Sequence, residues 1–149
     1  MLVDTDVLIW HLRGYAQATR RLDQLDSLTL SAVSYMELLQ GMRDKTELAA
    51  VKKMLELRGA RIVPLTEVTT QQAMTLMESL TLSHGLQMGD ALIAATAFEH
   101  QLTLLTGNVK HFRAVSGLQR KRLCLEIGRL VRSENVRKPD GARQARGPA

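Results

Sequence analysis

The chain has 149 residues, of which 45% are hydrophobic, 23% are charged and only 3% are aromatic, and its net charge is +5. This length and composition are typical of one globular domain, and no apolar run is long enough to span a membrane. Cys124 is the only cysteine, which excludes an intramolecular disulfide and a zinc site built from several cysteines. The scarcity of aromatic residues argues against nucleic-acid binding through stacked rings. We therefore expect a protein of the reducing cytoplasm, without a signal peptide.

The positive charge is concentrated near the carboxyl end. Residues 129–149 contain six Lys or Arg residues and two acidic residues, so that 14 basic and 13 acidic residues remain in residues 1–128. We predict a folded domain over residues 1–132 and a disordered basic tail over residues 133–149. Such a tail either contacts nucleic acid or only improves solubility.

Short apolar runs alternate with helix-like segments along the chain. The predicted strands are residues 1–3, 28–32, 61–65, 102–106 and 122–127; Cys124 lies in the last, and Pro64 places the third at the end or edge of a sheet. The predicted helices are residues 7–12, 16–25, 34–41, 44–57, a segment from Thr66 or Thr69 to 84, and 88–100, while 108–114 form a loop or one helical turn. This alternation predicts an α/β fold, with a short central parallel sheet flanked by helices on both faces.

Two aspartates follow the first predicted strand. Asp6 is well placed to cap the helix that comes next, because its side chain can accept hydrogen bonds from free backbone N–H groups. Asp4 then lies at the carboxyl end of a buried strand, where open α/β sheets bind their ligands. A carboxylate so close to a hydrophobic core needs a partner or a metal ion.

Three further polar side chains are expected at the same rim of the sheet. Glu37 lies in the first turn of its predicted helix, Asp90 opens the alanine-rich helix, and Asn108 follows the fourth strand. Carboxylates that converge repel one another, which favours a bound divalent cation, and hard oxygen ligands suit Mg²⁺ or Mn²⁺. Structural explanations also exist: Ser34 to Glu37 fits a capping box, and the helix dipole favours Asp90 at a helix start.

These polar residues occur in four short segments, LVDTDVLI at 2–9, SYMEL at 34–38, GDALIAATA at 89–97 and LTGNVKHF at 105–112. In this order and spacing, the segments resemble the motifs of the PIN-domain nucleases. Within that family they are most similar to the VapC-like toxins of type II bacterial toxin–antitoxin pairs. The resemblance covers roughly residues 1–127, which leaves only the basic tail outside it.

The resemblance implies a PIN-like fold and a Mg²⁺-dependent endoribonuclease, with Mn²⁺ as a substitute. Asp4, Glu37 and Asp90 fall on the family's acidic cluster, with Asp4 and Asp90 as the metal ligands and Glu37 assisting the attacking water. Thr106 matches a polar residue that holds Asp4 in place. Asn108 stands where many members carry a fourth acid, which argues against a second tightly held metal. The resemblance also implies a homodimer and an antitoxin whose C-terminal segment fills the acidic groove.

An acidic cluster repels RNA, so basic residues around it have to contact the phosphates. The candidates close to the motifs are Arg13, Arg43, Lys45 and Lys110, although each also fits an ordinary solvated surface charge. The histidines show no ligand spacing and are expected at the surface or at the rim of the site; they are His11, His84, His100 and His111.

Two alternative functions remain open from the sequence. A PIN-like module that binds RNA or a protein partner without cutting would tolerate Asn108 in place of an acid. A phosphatase that resembles the haloacid dehalogenases would use Asp4 as its nucleophile and Asp6 as its acid/base. The second alternative lacks the later acidic pair, because the position four residues after Asp90 is Ala94, and it gives Glu37 no role.

Overall fold

The computed structural model describes residues 1–124 and contains one sheet of five parallel strands in the order β3-β2-β1-β4-β5. The strands are β1 (Leu2–Val3), β2 (Thr29–Ser31), β3 (Arg61–Val63), β4 (Leu104–Thr106) and β5 (Arg120–Arg122). The predicted α/β fold with a parallel sheet is confirmed, and β3, which precedes Pro64, lies at an edge as expected. Because β1 is the central strand, the residue that follows it emerges in the middle of the rim.

Seven helices connect and cover the strands described. They are α1 (Thr5–Leu12), α2 (Ala16–Asp23), α3 (Ala32–Gln40), α4 (Lys45–Leu57), α5 (Glu67–His84), α6 (Met88–Glu99) and α7 (Val109–Phe112). Local signals set several of their ends: Asp44 and Thr66 cap α4 and α5, and Gly85, with φ of +66°, ends α5 in the left-handed conformation. None of these helices is long and apolar enough to cross a membrane.

The sheet separates two hydrophobic cores, because neighbouring residues of a strand point to opposite faces. Leu2 of β1 packs into a core with Ile93 of α6 and Phe112 of α7. Val3 faces the other way, into a core with Leu8 of α1 and other residues from α2, α3 and α4. Helices therefore cover both faces, and the central strand is packed on both sides beneath the rim.

The last strand differs from the prediction of residues 122–127. β5 starts earlier, at Arg120, and pairs with β4 until Arg122 meets Thr106, where the short ladder ends. Cys124 is exposed and lies after the strand rather than within it. Residues 125–127 and the tail predicted to be disordered, residues 133–149, lie outside the described residues.

Candidate active site

Asp4 lies at the centre of the rim and is only 6% exposed. Its Oδ1 accepts a hydrogen bond from the backbone N of Thr5 at 2.8 Å, and its Oδ2 accepts one from Oγ1 of Thr106 at 2.7 Å. The first of these bonds makes Asp4 the N-cap of α1. The two oxygens are thereby oriented by the next residue in the chain and by a residue 102 positions later.

The prediction that Asp6 caps this helix is wrong. The helix begins at Thr5, directly after Asp4, so Asp6 lies inside its first turn. Its Oδ2 accepts a hydrogen bond from the backbone N of Gly107 at 3.0 Å, which ties α1 to the end of β4. Its Oδ1 is buried and has no hydrogen-bond partner among residues 1–124. Asp6 therefore supports the site as a link to β4, and it adds a negative charge beside Asp4.

Glu37 does not lie in the first turn of its helix, and the proposed capping box is wrong. α3 begins two residues earlier than predicted, at Ala32, and its N-cap is Ser31, whose side chain accepts from the N of Val33 at 3.0 Å. Glu37 is therefore free to face the rim, and its Oε2 accepts a hydrogen bond from Oγ1 of Thr5. Its Oε1 packs against Gly89, so closely that a Cβ at that position would overlap it.

Asp90 lies in the first turn of α6, and its Oδ2 is 3.1 Å from Nδ1 of His111. The amide nitrogen of Asn108 is 2.9 Å from Nε2 of the same ring. The backbone N of Asn108 donates to Oγ1 of Thr106 at 3.0 Å. Asn108 thus contacts His111, which holds Asp90, and Thr106, which holds Asp4. These contacts place Asn108 at the rim, as expected.

The electrostatics of these carboxylates reflect burial and mutual repulsion. The pKa of Asp4 is raised from 3.8 to about 7, mainly by burial; the negative charges of Asp6 and Asp90 also act to raise it, and the hydrogen bonds from Thr106 and Thr5 act to lower it. Burial also raises the pKa of Asp90, where His111 acts to lower it and Glu37 to raise it. The pKa of Asp6 is raised by burial too. The acids predicted to converge do interact at one rim, and their charges are unfavourable without a cation.

The oxygen atoms at the rim are the kind that hard divalent cations prefer. Within residues 1–124, however, no group of three or more His, Cys, Asp or Glu side chains is arranged to hold a metal ion. A cation at this rim would therefore rest on fewer protein ligands completed by water, a coordination that Mg²⁺ accepts readily. The desolvated, mutually repelling carboxylates fit such a cation in charge.

A groove of about 630 Å³ opens beside Glu37, between α1, α3 and α4. Its wall is mostly apolar and includes Leu12 and Met42, and two of the predicted RNA-binding residues, Arg13 and Arg43, line it. The charge of Arg43 is paired with Glu47 at 2.6 Å. Of the other two predicted residues, Lys45 is exposed at the start of α4 and Lys110 is exposed in α7, next to His111.

Three contributors to this site were not predicted from the sequence. Thr5 and His111 contact Glu37 and Asp90 directly, and Gly89 leaves the space that Glu37 occupies. The spacing of Asn108 and His111, one helical turn apart, is a signal that would have pointed to the histidine. Nothing in the local sequence around Thr5 signals its contact with a residue 32 positions away.

The PIN domain family model matches residues 1–118, which include every element from β1 to α7. The chain belongs to the PIN-domain family. This membership agrees with the ordered motifs and the parallel sheet, and it leaves the phosphatase alternative without support.

Curated relatives within the family carry ribonuclease names. The chain is 42% identical over 116 residues to Ribonuclease VapC10 of Mycobacterium tuberculosis (strain ATCC 25618 / H37Rv), covering 75% of this chain and 85% of the relative. It is 35% identical over 123 residues to Ribonuclease VapC19 of the same strain, covering 79% and 96%. Among solved structures, a toxin–antitoxin complex from Klebsiella pneumoniae matches with a TM-score of 0.64 and 24% identity, covering 78% of this chain and 93% of that one.

Proposed function

We propose that this PIN-domain protein is a metal-dependent endoribonuclease and the toxin of a toxin–antitoxin pair. One observation carries the proposal: Asp4, Glu37 and Asp90, which are far apart in sequence, interact at one rim of the sheet. The names of its relatives, Ribonuclease VapC10 and Ribonuclease VapC19, give the substrate class. The toxin role is supported by the likeness of the fold to the Klebsiella pneumoniae toxin–antitoxin complex.

Asp4 and Asp90 are the residues proposed to hold Mg²⁺, for which Mn²⁺ can substitute. Two carboxylates completed by water bind Mg²⁺ weakly, so we expect the free protein to have an affinity weaker than micromolar. The ion, when bound, supplies positive charge at the scissile phosphate and makes water more acidic. Submicromolar binding measured by calorimetry would contradict this assignment.

The residues of the chain hold the reacting groups in place. Glu37 accepts the proton of the attacking water, while its other oxygen is fixed by the hydroxyl of Thr5. Thr106 keeps the carboxylate of Asp4 oriented. The water oxygen bonds to phosphorus as the bond from phosphorus to the 3′ oxygen breaks, in line. The products are a 5′-phosphate and a 3′-hydroxyl, which takes up a proton.

Growth and RNA cleavage test the proposal. Expression of the wild type is expected to arrest growth and to cut RNA only with Mg²⁺ or Mn²⁺, whereas Asp4→Asn and Asp90→Asn are expected to do neither. Glu37→Gln is expected to lose roughly 100-fold in cleavage rate, as for removal of a general base. Glu78→Gln, an exposed acid of α5, is the matched control and keeps full activity. Equal toxicity of the wild type and both Asp variants would overturn the proposal.

The same experiment decides the remaining alternative, a PIN-like module that binds without cutting. In that case the purified protein would bind RNA and cleave none with either metal, and Asp4→Asn would be as toxic as the wild type. The burial of Asp4 and its raised pKa support the nuclease, because a desolvated carboxylate without a cation is costly in a module that only binds.

The antitoxin is proposed to occupy the groove beside Glu37. The wall around Leu12 and Met42 is apolar, and Glu37 gives it one acidic end, which suits a helical or extended segment with apolar side chains and a cation. Leu12→Glu should weaken capture of the product of the neighbouring reading frame without stopping RNA cleavage. Leu57→Glu, an exposed leucine of α4 that does not line the groove, is the control. Equal capture by both variants would exclude this groove.

A homodimer also remains a proposal. Apolar side chains are exposed on α5 and at the start of α6, including Met74, Leu82 and Met88. Light scattering of the full chain is expected to give twice the monomer mass of 16.6 kDa. A monomeric mass at the concentration at which RNA is cut would contradict it.

A further inference from the structure

Arg122 lies in the same row of the sheet as Asp4. The register pairs Leu104 with Arg120 and Thr106 with Arg122. On the other side of β4, the backbone N of Asp4 donates to the carbonyl of Leu105 at 2.9 Å. Since neighbouring strands are about 4.8 Å apart, the backbones of Asp4 and Arg122 are separated by roughly 10 Å, with Thr106 between them.

The pleat of β5 determines which of its cations face the active site. Nη1 of Arg120 donates to the carbonyl of Phe112 at 3.1 Å, so Arg120 points to the face that α7 covers. Because side chains alternate along a strand, Arg122 points to this face and Lys121 to the opposite one. Lys110 of α7 is exposed and directly precedes the histidine that contacts Asp90.

Arg113 directly follows Phe112, whose carbonyl accepts from Arg120, so the end of α7 lies against β5. We call the basic residues of these two segments that lie on the α7 side the basic flank; they are Lys110, Arg113, Arg120 and Arg122. No Asp or Glu occurs in residues 100–124, so the charge of this segment is not balanced locally. Over the part of the chain that the structure describes, the ion pairs are Arg43–Glu47, Arg58–Asp23 and His111–Asp90, and none involves the basic flank.

We propose that the basic flank binds the phosphates of the RNA strand and that Arg122 contacts a phosphate next to the one that is cut. This inference rests on the proposed ribonuclease function. An acidic rim needs neighbouring cations to hold RNA, and the basic flank begins one strand beyond Thr106. The guanidinium of Arg122 presents several donors in a plane that matches a phosphate.

The basic flank changes the set of RNA-contacting residues expected from the sequence. Lys110 remains in the set. Arg43 leaves it, because Glu47 already pairs with its guanidinium and because it lines the groove assigned to the antitoxin. The RNA strand would therefore run from the β5 edge of the sheet to Asp4, and the antitoxin would approach the rim from the side of α1 and α4.

Binding of a short fluorescent single-stranded RNA, measured at several salt concentrations, tests the inference. All variants are made in full-length Asp90→Asn protein, so that the RNA is not cut. Arg122→Gln is expected to bind about tenfold more weakly at low salt, and its salt slope falls by about 0.7, the value for one lost phosphate contact on a single strand. Lys121→Gln removes the same charge from the other face of the same β-strand. It is expected to bind RNA as tightly as the parent Asp90→Asn protein.

The Lys110→Gln/Arg113→Gln double variant gives an independent measurement at exposed positions outside the sheet. It should weaken binding and lower the salt slope by about 1.4, with an unchanged circular dichroism spectrum. The affinity for single-stranded DNA of the same sequence should fall by the same factor in Arg122→Gln, because the contact is to phosphate. If Arg122→Gln and the double variant bound RNA as tightly as Lys121→Gln while the wild type still cut RNA, the role of the basic flank alone would be overturned. Failure of the wild type to cut any RNA would instead overturn the proposed function.

Discussion

The hydroxyl of Thr106 donates to Oδ2 of Asp4 at 2.7 Å, although 102 positions separate the two residues in the chain. The same hydroxyl oxygen accepts from the backbone N of Asn108 at 3.0 Å, and Thr106 is fully buried. The hydroxyl thus joins the end of β1 to the loop after β4. A bond to a buried carboxylate also fixes which way the carboxylate faces, so the orientation of Asp4 depends on a residue near the other end of the domain.

Thr106→Val should therefore lower RNA cleavage through its effect on Asp4, and not through a contact with the substrate. The variant leaves the backbone N–H of Asn108 unpaired and removes a bond that lowers the pKa of Asp4. We expect roughly 10- to 100-fold less RNA cleavage, as for other groups that hold a metal ligand, and a loss of about 1–3 kcal/mol in unfolding free energy. Thr106→Ser keeps the hydroxyl and should restore most of the activity. Full activity of Thr106→Val in the cleavage assay would show that Asp4 needs no such support.

Gly89→Ala tests the space that Glu37 occupies. Replacing glycine by alanine inside a helix normally stabilises a protein by about 0.5–1 kcal/mol. A Cβ at position 89 would overlap Oε1 of Glu37, so the carboxylate has to leave its contact with Thr5. We expect a cleavage rate at least about tenfold lower, with little change in the melting temperature.

Gly41→Ala is the matched control for Gly89→Ala. A Cβ at Gly41 would meet only the backbone oxygens of Glu37 and Leu38, both at an ordinary 3.6 Å. This variant should keep its cleavage rate. If both variants lost activity equally, the effect would come from the helices rather than from the carboxylate of Glu37.

Much of the fold and the acidic rim could be predicted from local patterns. Short strands alternate with helices along the chain, and Asp4 and Asp90 stand at element ends that a parallel sheet brings together. The start of α1 could not be predicted in the same way, because Asp4 and Asp6 both suit an N-cap. The choice depends on where the ladder of β1 ends, which the neighbouring strands decide.

The position of β5 shows a second limit of sequence patterns. An edge strand need not be apolar, so Arg120–Arg122 carries no hydrophobic signal, and the apolar residues after it shifted the prediction towards the carboxyl end. The contacts of Thr5 with Glu37 and of His111 with Asp90 are likewise products of tertiary packing, since they join residues 32 and 21 positions apart. Such pairs follow from the topology and not from local spacing.

Gly107→Ala should disturb the junction between β4 and α1. A Cβ there would overlap the ring of Trp10 and approach Oδ2 of Asp6 to 3.0 Å. We expect a loss of about 1–3 kcal/mol in unfolding free energy, as for overpacking of a close contact. Trp10 is the only tryptophan, so its fluorescence spectrum reports the displacement directly. Gly14→Ala, where φ is +86° but no atom lies within 4 Å of the added Cβ, should destabilise the protein without altering the spectrum. An unchanged spectrum in Gly107→Ala would contradict this packing.

Asp4→Asn should make the protein more stable at alkaline pH. The pKa of Asp4 is about 7 in the folded state and about 3.8 in the unfolded chain, so the folded state binds the proton more tightly. The contribution of this group is therefore fully present below about pH 4 and is lost as the pH rises through 7, by roughly 4 kcal/mol. Because asparagine cannot ionise, the unfolding free energy of Asp4→Asn should exceed that of the wild type increasingly between pH 5 and 8, whereas Glu78→Gln should follow the wild type.

Mg²⁺ should stabilise the wild type more at pH 8 than at pH 5, since protons compete for the same carboxylate, and should have little effect on Asp4→Asn. Urea unfolding at both pH values, with and without Mg²⁺, measures these differences. Parallel pH profiles for the wild type and Asp4→Asn would mean that the pKa of Asp4 is not raised in the folded protein.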